Sequence, residues 1–176
     1  MLLNTWYRLL GAQIGGTSDN VKFKDCNGTE RILYKLTNSS YYVSAFQTLN
    51  FDGLSFVRTA SGNNSIGVVF GDGSDPVSAD DYCLSGNIIG GIASSASISR
   101  VHCAEYAEFT AIYTITNGGS AEITISEIGY YGMLPYSSTA FMSTLVERTV
   151  LDSPVTIPAG GVGQITYTIR MNYPTA

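Results

Sequence analysis

The sequence predicts an all-β fold: an antiparallel β-sandwich, jelly-roll or Ig-like, with a short N-terminal helix or arm. Three observations predict it. Ile165, Tyr167, Ile169 and Met171 alternate with Thr166, Thr168 and Arg170, the period-two spacing of a half-buried strand. Apolar segments separated by turn residues recur at short intervals as far as Tyr173. The chain also holds 12 Tyr and 19 Gly but only 5 Pro, and Tyr together with Thr favours strands.

From the N-terminus, Leu2, Leu3, Trp6, Leu9 and Leu10 recur at helical spacing, and Gly11 and Gly15-Gly16 stop the pattern. So short a helix is not stable alone in water, so its apolar stripe is expected to dock on the sandwich or on another chain. These five residues are the candidate interface. The segment has no basic leading region and no cleavage site after a long apolar run, so it does not read as a signal peptide. Thr17–Thr29 reads as a polar loop or arm, which gives an N-terminal unit of residues 1–30 and one β-sandwich domain of residues 31–176.

Strands are expected near Ile32–Thr37, Tyr41–Leu49, Phe51–Val57 and Ile66–Phe70. The last is a continuous apolar run, as a buried strand should be. Gly71–Pro76 is a loop with turn residues at almost every position, closed by Asp80-Asp81-Tyr82. Leu84–Arg100 is rich in Gly, Ser, Ala and Ile. Phe109–Thr116, Asn117-Gly118-Gly119-Ser120 and Ala121–Tyr130 read as a hairpin, with Asn-Gly supplying positive φ in a tight turn. A connection follows to Thr139, then a strand over Phe141–Leu151. The closing segment from Pro154 is broken at Pro158 and Gly160-Gly161. About nine strands result, without internal repeat or strong linker.

Composition excludes several functions. Charged residues are 13% of the chain, about half the usual share. The net charge is −5 and no Lys/Arg run occurs, so a broad nucleic-acid-binding face is not expected. No run of 18 apolar residues occurs, so no helical membrane span is expected. A low-charge, Tyr-rich surface suits an assembly, although most of the tyrosines are expected on the sheet, rimming the core.

Reaction chemistry is sparse. Asp72, Asp75, Asp80 and Asp81 are oxygen ligands of the kind Ca²⁺ takes, but their spacing is not that of an EF-hand, and an Asx-rich turn explains them as well. They are the weak metal candidates, and no cofactor is expected. Glu105, Glu108, Glu127 and Glu147 show no sign of the paired carboxyls of a glycosidase. His102 and Cys103 are strand neighbours pointing to opposite faces, unsuited to a nucleophile–base pair. No Gly-x-Ser-x-Gly elbow or nucleotide-binding Gly-rich fingerprint appears. The three cysteines, Cys26, Cys83 and Cys103, are an odd count without CxxC spacing, and no structural disulfide is expected. Cys83 and Cys103, flanking the Gly/Ser/Ala segment, are the one plausible pair.

Three segments resemble small tailed-bacteriophage structural proteins. Gly71–Pro76 with Ala79–Leu84 resembles their Gly-x-Gly…Pro…Asp-Tyr-x-Leu segment. Ile125-Ser126-Glu127-Ile128-Gly129-Tyr130 resembles one strand, and Glu147–Gly160 resembles their closing Arg-Thr-Val-Leu…Pro-Val-Thr-Ile-Pro-Ala-Gly strands. The match spans roughly residues 66 to 173. The resemblance implies a non-enzymatic virion component (capsid decoration, collar, tail or fibre attachment) that assembles with itself and with other virion proteins. A carbohydrate- or receptor-binding module, taking a host glycan on Tyr41-Tyr42, Tyr130-Tyr131 and Tyr136, is the alternative.

Overall fold

A computed structural model of the chain describes residues 4, 7–8, 22–32, 67–90, 92–135, 137 and 141–173. The expected strands at Tyr41–Leu49 and Phe51–Val57, and the interface residues Leu2, Leu3, Trp6, Leu9 and Leu10, lie outside them. Eight strands are described: β1 (Lys22–Lys24), β2 (Glu30–Ile32), β3 (Gly67–Gly71), β4 (Ile92–His102), β5 (Tyr106–Asn117), β6 (Ile123–Pro135), β7 (Phe141–Ile157) and β8 (Val162–Asn172). All pairings are antiparallel. One sheet has the order β3-β6-β7, the second β4-β5-β8, and β1-β2 is a separate hairpin.

The two three-stranded sheets face each other across one core. Val68 and Phe70 of β3, Ile125, Ile128 and Tyr130 of β6, and Val146 of β7 meet Ala111, Tyr113 and Ile115 of β5 and Ile165 and Tyr167 of β8. The Phe70 and Tyr113 rings meet edge-on at 5.6 Å. Alternation along β8 holds as the sequence predicts, with Ile165 and Tyr167 buried. Met171 shares their parity but is 56% exposed and is not part of the core cluster.

The expected hairpin over Phe109–Tyr130 does not form. β5 pairs with β4 and β8, whereas β6 pairs with β3 and β7. The intervening turn is a crossover between sheets, and neither Gly118 nor Gly119 is among the glycines with positive φ. The reason is burial. β5 and β6 both carry apolar inner residues, and crossing over lets the two sets face each other. The link from β7 to β8 crosses in the same way through Gly160, whose φ is +68°. Asn117 stitches the two crossovers. Its buried Nδ2 donates to the carbonyls of Ala121 (2.8 Å), Ile157 (3.1 Å) and Pro158 (3.1 Å), and its Oδ1 accepts from the Gly119 N–H.

Two further expectations change. Tyr130–Pro135 is not a connection but the continuation of β6, paired with Phe141–Glu147. The polar stretch before Thr29 contains β1 and the turn into β2, so this hairpin straddles residue 30. Asp25, fully buried, closes that turn by accepting from the N–H groups of Asn27 and Thr29 and from Arg31 Nε.

The β3-β6-β7 sheet is covered on its outer face as well. Cys26, Val69, Leu84, Tyr131 and Leu145 form a second buried cluster there. The β1-β2 turn and the chain between β3 and β4 supply its cover. Its hairpin side is tied to β7 by Cys26 N–H donating to Ser143 O (2.9 Å) and Thr144 Oγ1 donating to Lys24 O (2.8 Å). Alternation therefore fails as a guide in β3, which is buried throughout.

Candidate functional site

The polar focus of the molecule lies on this outer face, where the loop after β3 is pinned to β6 and β7. Glu127 on β6 and Arg148 on β7 are both essentially inaccessible, and Arg148 Nε donates to Glu127 Oε2 at 2.7 Å. The Glu127 carboxylate also accepts from the N–H groups of Gly73 (3.2 Å), Ser85 (3.2 Å) and Gly86 (2.8 Å) and from Ser85 Oγ (3.3 Å). Arg148 spends its remaining donors on Asp81 Oδ2 (2.7 Å), Ser85 Oγ (2.6 Å) and the Asp75 carbonyl (2.9 Å). Burial alone would push the guanidinium pKa down, but Asp81 and Glu127 outweigh it and hold it above its ordinary value. A buried ion pair costs its desolvation, which these hydrogen bonds offset by satisfying the polar atoms on both partners.

Glycine makes this close approach possible. A Cβ on Gly73 would lie 2.3 Å from Glu127 Oε1 and 2.2 Å from Ser85 Oγ, and one on Gly86 would lie 2.3 Å from Asp72 Oδ1. These are distances that no side chain tolerates, so the loop reaches the carboxylate only through residues without a Cβ.

The four candidate aspartates are spread around this loop rather than gathered. Asp72 accepts from the Asn87 N–H and side chain. Asp75 contributes its carbonyl to Arg148. Asp80 Oδ1 accepts from Asn4 Nδ2 at 3.0 Å, and Asp81 bridges Arg148 and the Ser78 N–H. Among the described residues no three His, Cys, Asp or Glu side chains converge as a metal site would require.

The other acidic candidates are equally engaged. Glu147, facing the sandwich core, accepts a short hydrogen bond from Tyr167 Oη and one of 2.6 Å from Thr149 Oγ1. Burial, then the Glu147 charge, raises the Tyr167 pKa well above its ordinary value. Glu108 pairs with Arg170 on the surface, Nε to Oε2 at 2.7 Å. Glu127 and Glu147 thus serve opposite faces of one sheet and do not address a common cleft. Cys103 Sγ donates to the Tyr106 carbonyl, while the His102 ring lies against Tyr173, so these two form no dyad. Tyr130 and Tyr131 are 2% and 0% exposed and cannot stack on a sugar; each ring packs a core instead. Tyr41, Tyr42 and Tyr136 lie outside the described residues.

The broad open surface is the outer face of β4-β5-β8. Strand pairing aligns Ser97–Ile112–Thr166, Ser99–Thr110–Thr168 and Val101–Glu108–Arg170 across it. Among the described residues its charge is the Glu108–Arg170 pair, and Val101, Ile112 and Val162 are exposed there at 43%, 36% and 64%. No protein-family model, curated protein or solved structure matches the chain.

Sequence reasoning did not find the Glu127–Arg148 pair or Asn117. For the pair, the available signal was one carboxylate in the strand Ile125–Tyr130 and one arginine in the strand Phe141–Leu151, neither of which marks burial by its neighbours. For Asn117 it was an Asn closing a strand before a Gly pair, which reads equally well as an ordinary turn.

Proposed function

We propose that this chain is a non-enzymatic structural subunit of a bacteriophage particle, acting by homo-oligomeric assembly and by docking on other virion proteins. The observation that carries the reading is the outer face of β4-β5-β8. It is nearly free of charge and exposes apolar side chains at Val101, Ile112 and Val162, with no described residue packed over them. Such a surface suits contact with a neighbouring subunit. Two further features support it. The three segments that carry the phage resemblance meet in one buried network, Gly73 and Asp81 with Glu127 and Arg148. Their polar residues are engaged with one another and tie the loop after β3 to the sheet, which suits a structural role.

Sedimentation equilibrium over a range of concentrations, with co-sedimentation on purified particles, tests the proposal. Self-association or particle binding that Ile112→Glu abolishes is the expected result. A monomer at every concentration that ignores particles would overturn it.

A further inference from the structure

The chain holds two Asn-Gly dipeptides, Asn27-Gly28 and Asn117-Gly118, and the fold treats them oppositely. In such a pair the carboxamide carbon lies within reach of the following backbone nitrogen, and glycine has no Cβ to obstruct the approach. Asn117 is 1% exposed, and the three carbonyls that its Nδ2 binds, with the Gly119 N–H on its Oδ1, hold the carboxamide in place. Turning it toward the Gly118 nitrogen breaks all four bonds and opens both crossovers. Asn27 is exposed in the β1-β2 turn. The brake on it is the Gly28 N–H bond to the Asp25 carbonyl, 2.8 Å long, which the opening of one surface turn releases.

We propose that Asn27 is a deamidation site of the folded chain, whereas Asn117 reacts only after global unfolding. The co-reactant is water. The Gly28 nitrogen gives its proton to hydroxide and attacks the Asn27 Cγ. A nitrogen–carbon bond forms, the bond from Cγ to the amide nitrogen breaks, and that nitrogen leaves as ammonia, taking a proton from water. A water molecule then opens the five-membered imide. Attack at Cγ leaves aspartate in an unchanged backbone. Attack at the α-carbonyl leaves isoaspartate, whose main chain runs through Cγ and is one carbon longer. The balance is one water consumed and one ammonia released. The extra carbon falls between groups that the turn holds in register. Asp25 Oδ1 accepts the Asn27 N–H at 3.0 Å and the Thr29 N–H at 2.9 Å, and the Asp25 N–H donates to the Thr29 carbonyl at 3.0 Å. Gly28 lies so near Tyr82 that a Cβ on it would be 3.1 Å from the ring. Lengthening the chain between Asn27 and Gly28 breaks the closure at Asp25 and moves Gly28 off that ring. The cover over Cys26 then loosens, because this buried thiol sits in the same turn and in one cluster with Val69, Leu84, Tyr131 and Leu145.

The test incubates the full folded chain at mildly alkaline pH and follows both sites by peptide mapping that separates aspartate from isoaspartate. Both products are expected at 27 while Asn117 stays intact, with rates separated by about a hundredfold or more, as local and global opening are. Small amounts of urea should speed only Asn117, whose reaction tracks the global transition, and in concentrated urea the two rates should converge. Alkylation of Cys26 should rise with the isoaspartate fraction, and Asn27→Ser should age without either change. Conversion of Asn117 in step with Asn27 in the folded chain would overturn the proposal. So would an Asn27 that stays intact while the unfolded chain reacts, or a Cys26 that is as protected in the isoaspartate form as in fresh protein.

Discussion

Replacing Arg148 by Met should destabilise the domain by about 3–5 kcal/mol, the usual cost of breaking a buried ion pair from one side. Arg148 is 1% exposed, and its bonds to Glu127, Asp81, Ser85 and the Asp75 carbonyl all disappear together. Met fills much of the volume, so the loss reports polar contacts more than a cavity. What remains is a buried Glu127 carboxylate facing four loop donors without its cation. Urea unfolding should show a lower midpoint with an unchanged slope, and the melting temperature should fall by about 6–20 °C for a domain of this size. Hydrogen exchange adds a local readout: the Gly73 and Gly86 amides, which donate to Glu127, should lose protection before the β5 amides do. Glu127→Ala should cost a similar amount, and the double variant less than the sum, because both singles break the same pair. A variant within about 1 kcal/mol of wild type, with both glycine amides still protected, would refute the reasoning, since that magnitude is the bound for exposed pairs.

Other consequences can be measured independently. Gly73→Ala should destabilise by about 1–3 kcal/mol through overpacking against Glu127 and Ser85, while Gly90→Ala, which meets nothing within 4 Å, should not; equal midpoints in urea would contradict this. Asn117→Asp should cost more than Asn117→Ala, because a carboxylate there would face the carbonyls of Ala121, Ile157 and Pro158 instead of donating to them; calorimetry at neutral pH ranks the two. Burial holds Tyr113, Tyr130, Tyr131 and Tyr167 above the ordinary phenol value of 10.0. The unfolded chain loses those protons first, so their contribution is intact below pH 10 and is lost as pH rises above it. Tyrosinate absorbance should therefore appear for these four only together with unfolding, and a folded protein that titrates all its tyrosines near pH 10 would rule this out.

How much of this was legible in the sequence depends on the range of the interaction. Local periodicity marked β8, β5 and the buried run of β3, because each strand's own residues decide which face is apolar. Pairing was not legible. Asn117-Gly118-Gly119 announces a turn, but the residues of a turn do not say which sheet the next strand joins. That choice belongs to the apolar faces of β5 and β6, which are better buried opposite each other than side by side. The aspartates of the acidic loop were visible as a cluster, yet they have separate partners: Asp81 and the Asp75 carbonyl meet Arg148, far along the chain, while Asp72 and Asp80 meet Asn87 and Asn4. An arginine in a strand gives no sign of being buried until the loop that covers it is placed. The glycines at 71, 73 and 86 were visible as turn formers. That Gly73 and Gly86 admit a carboxylate became apparent only with Glu127 beside them.

The pairing order also sets a schedule for folding. β4 with β5, and β6 with β7, are joined by short connections and can zip as local units soon after they are made. β8 reaches β5 only after the whole β6–β7 hairpin has been synthesised and turned across. Until then β5 has one edge bare and the inner faces of Ala111, Tyr113 and Ile115 incompletely covered. Non-local closure of this kind is slow, and a bare edge beside apolar residues is where two nascent chains would join wrongly. The second crossover is thus the non-local closure on which completion of the β4-β5-β8 sheet depends. Once Asn117 has gathered the carbonyls of Ile157 and Pro158, β8 is aimed along β5 and the interval of risk ends.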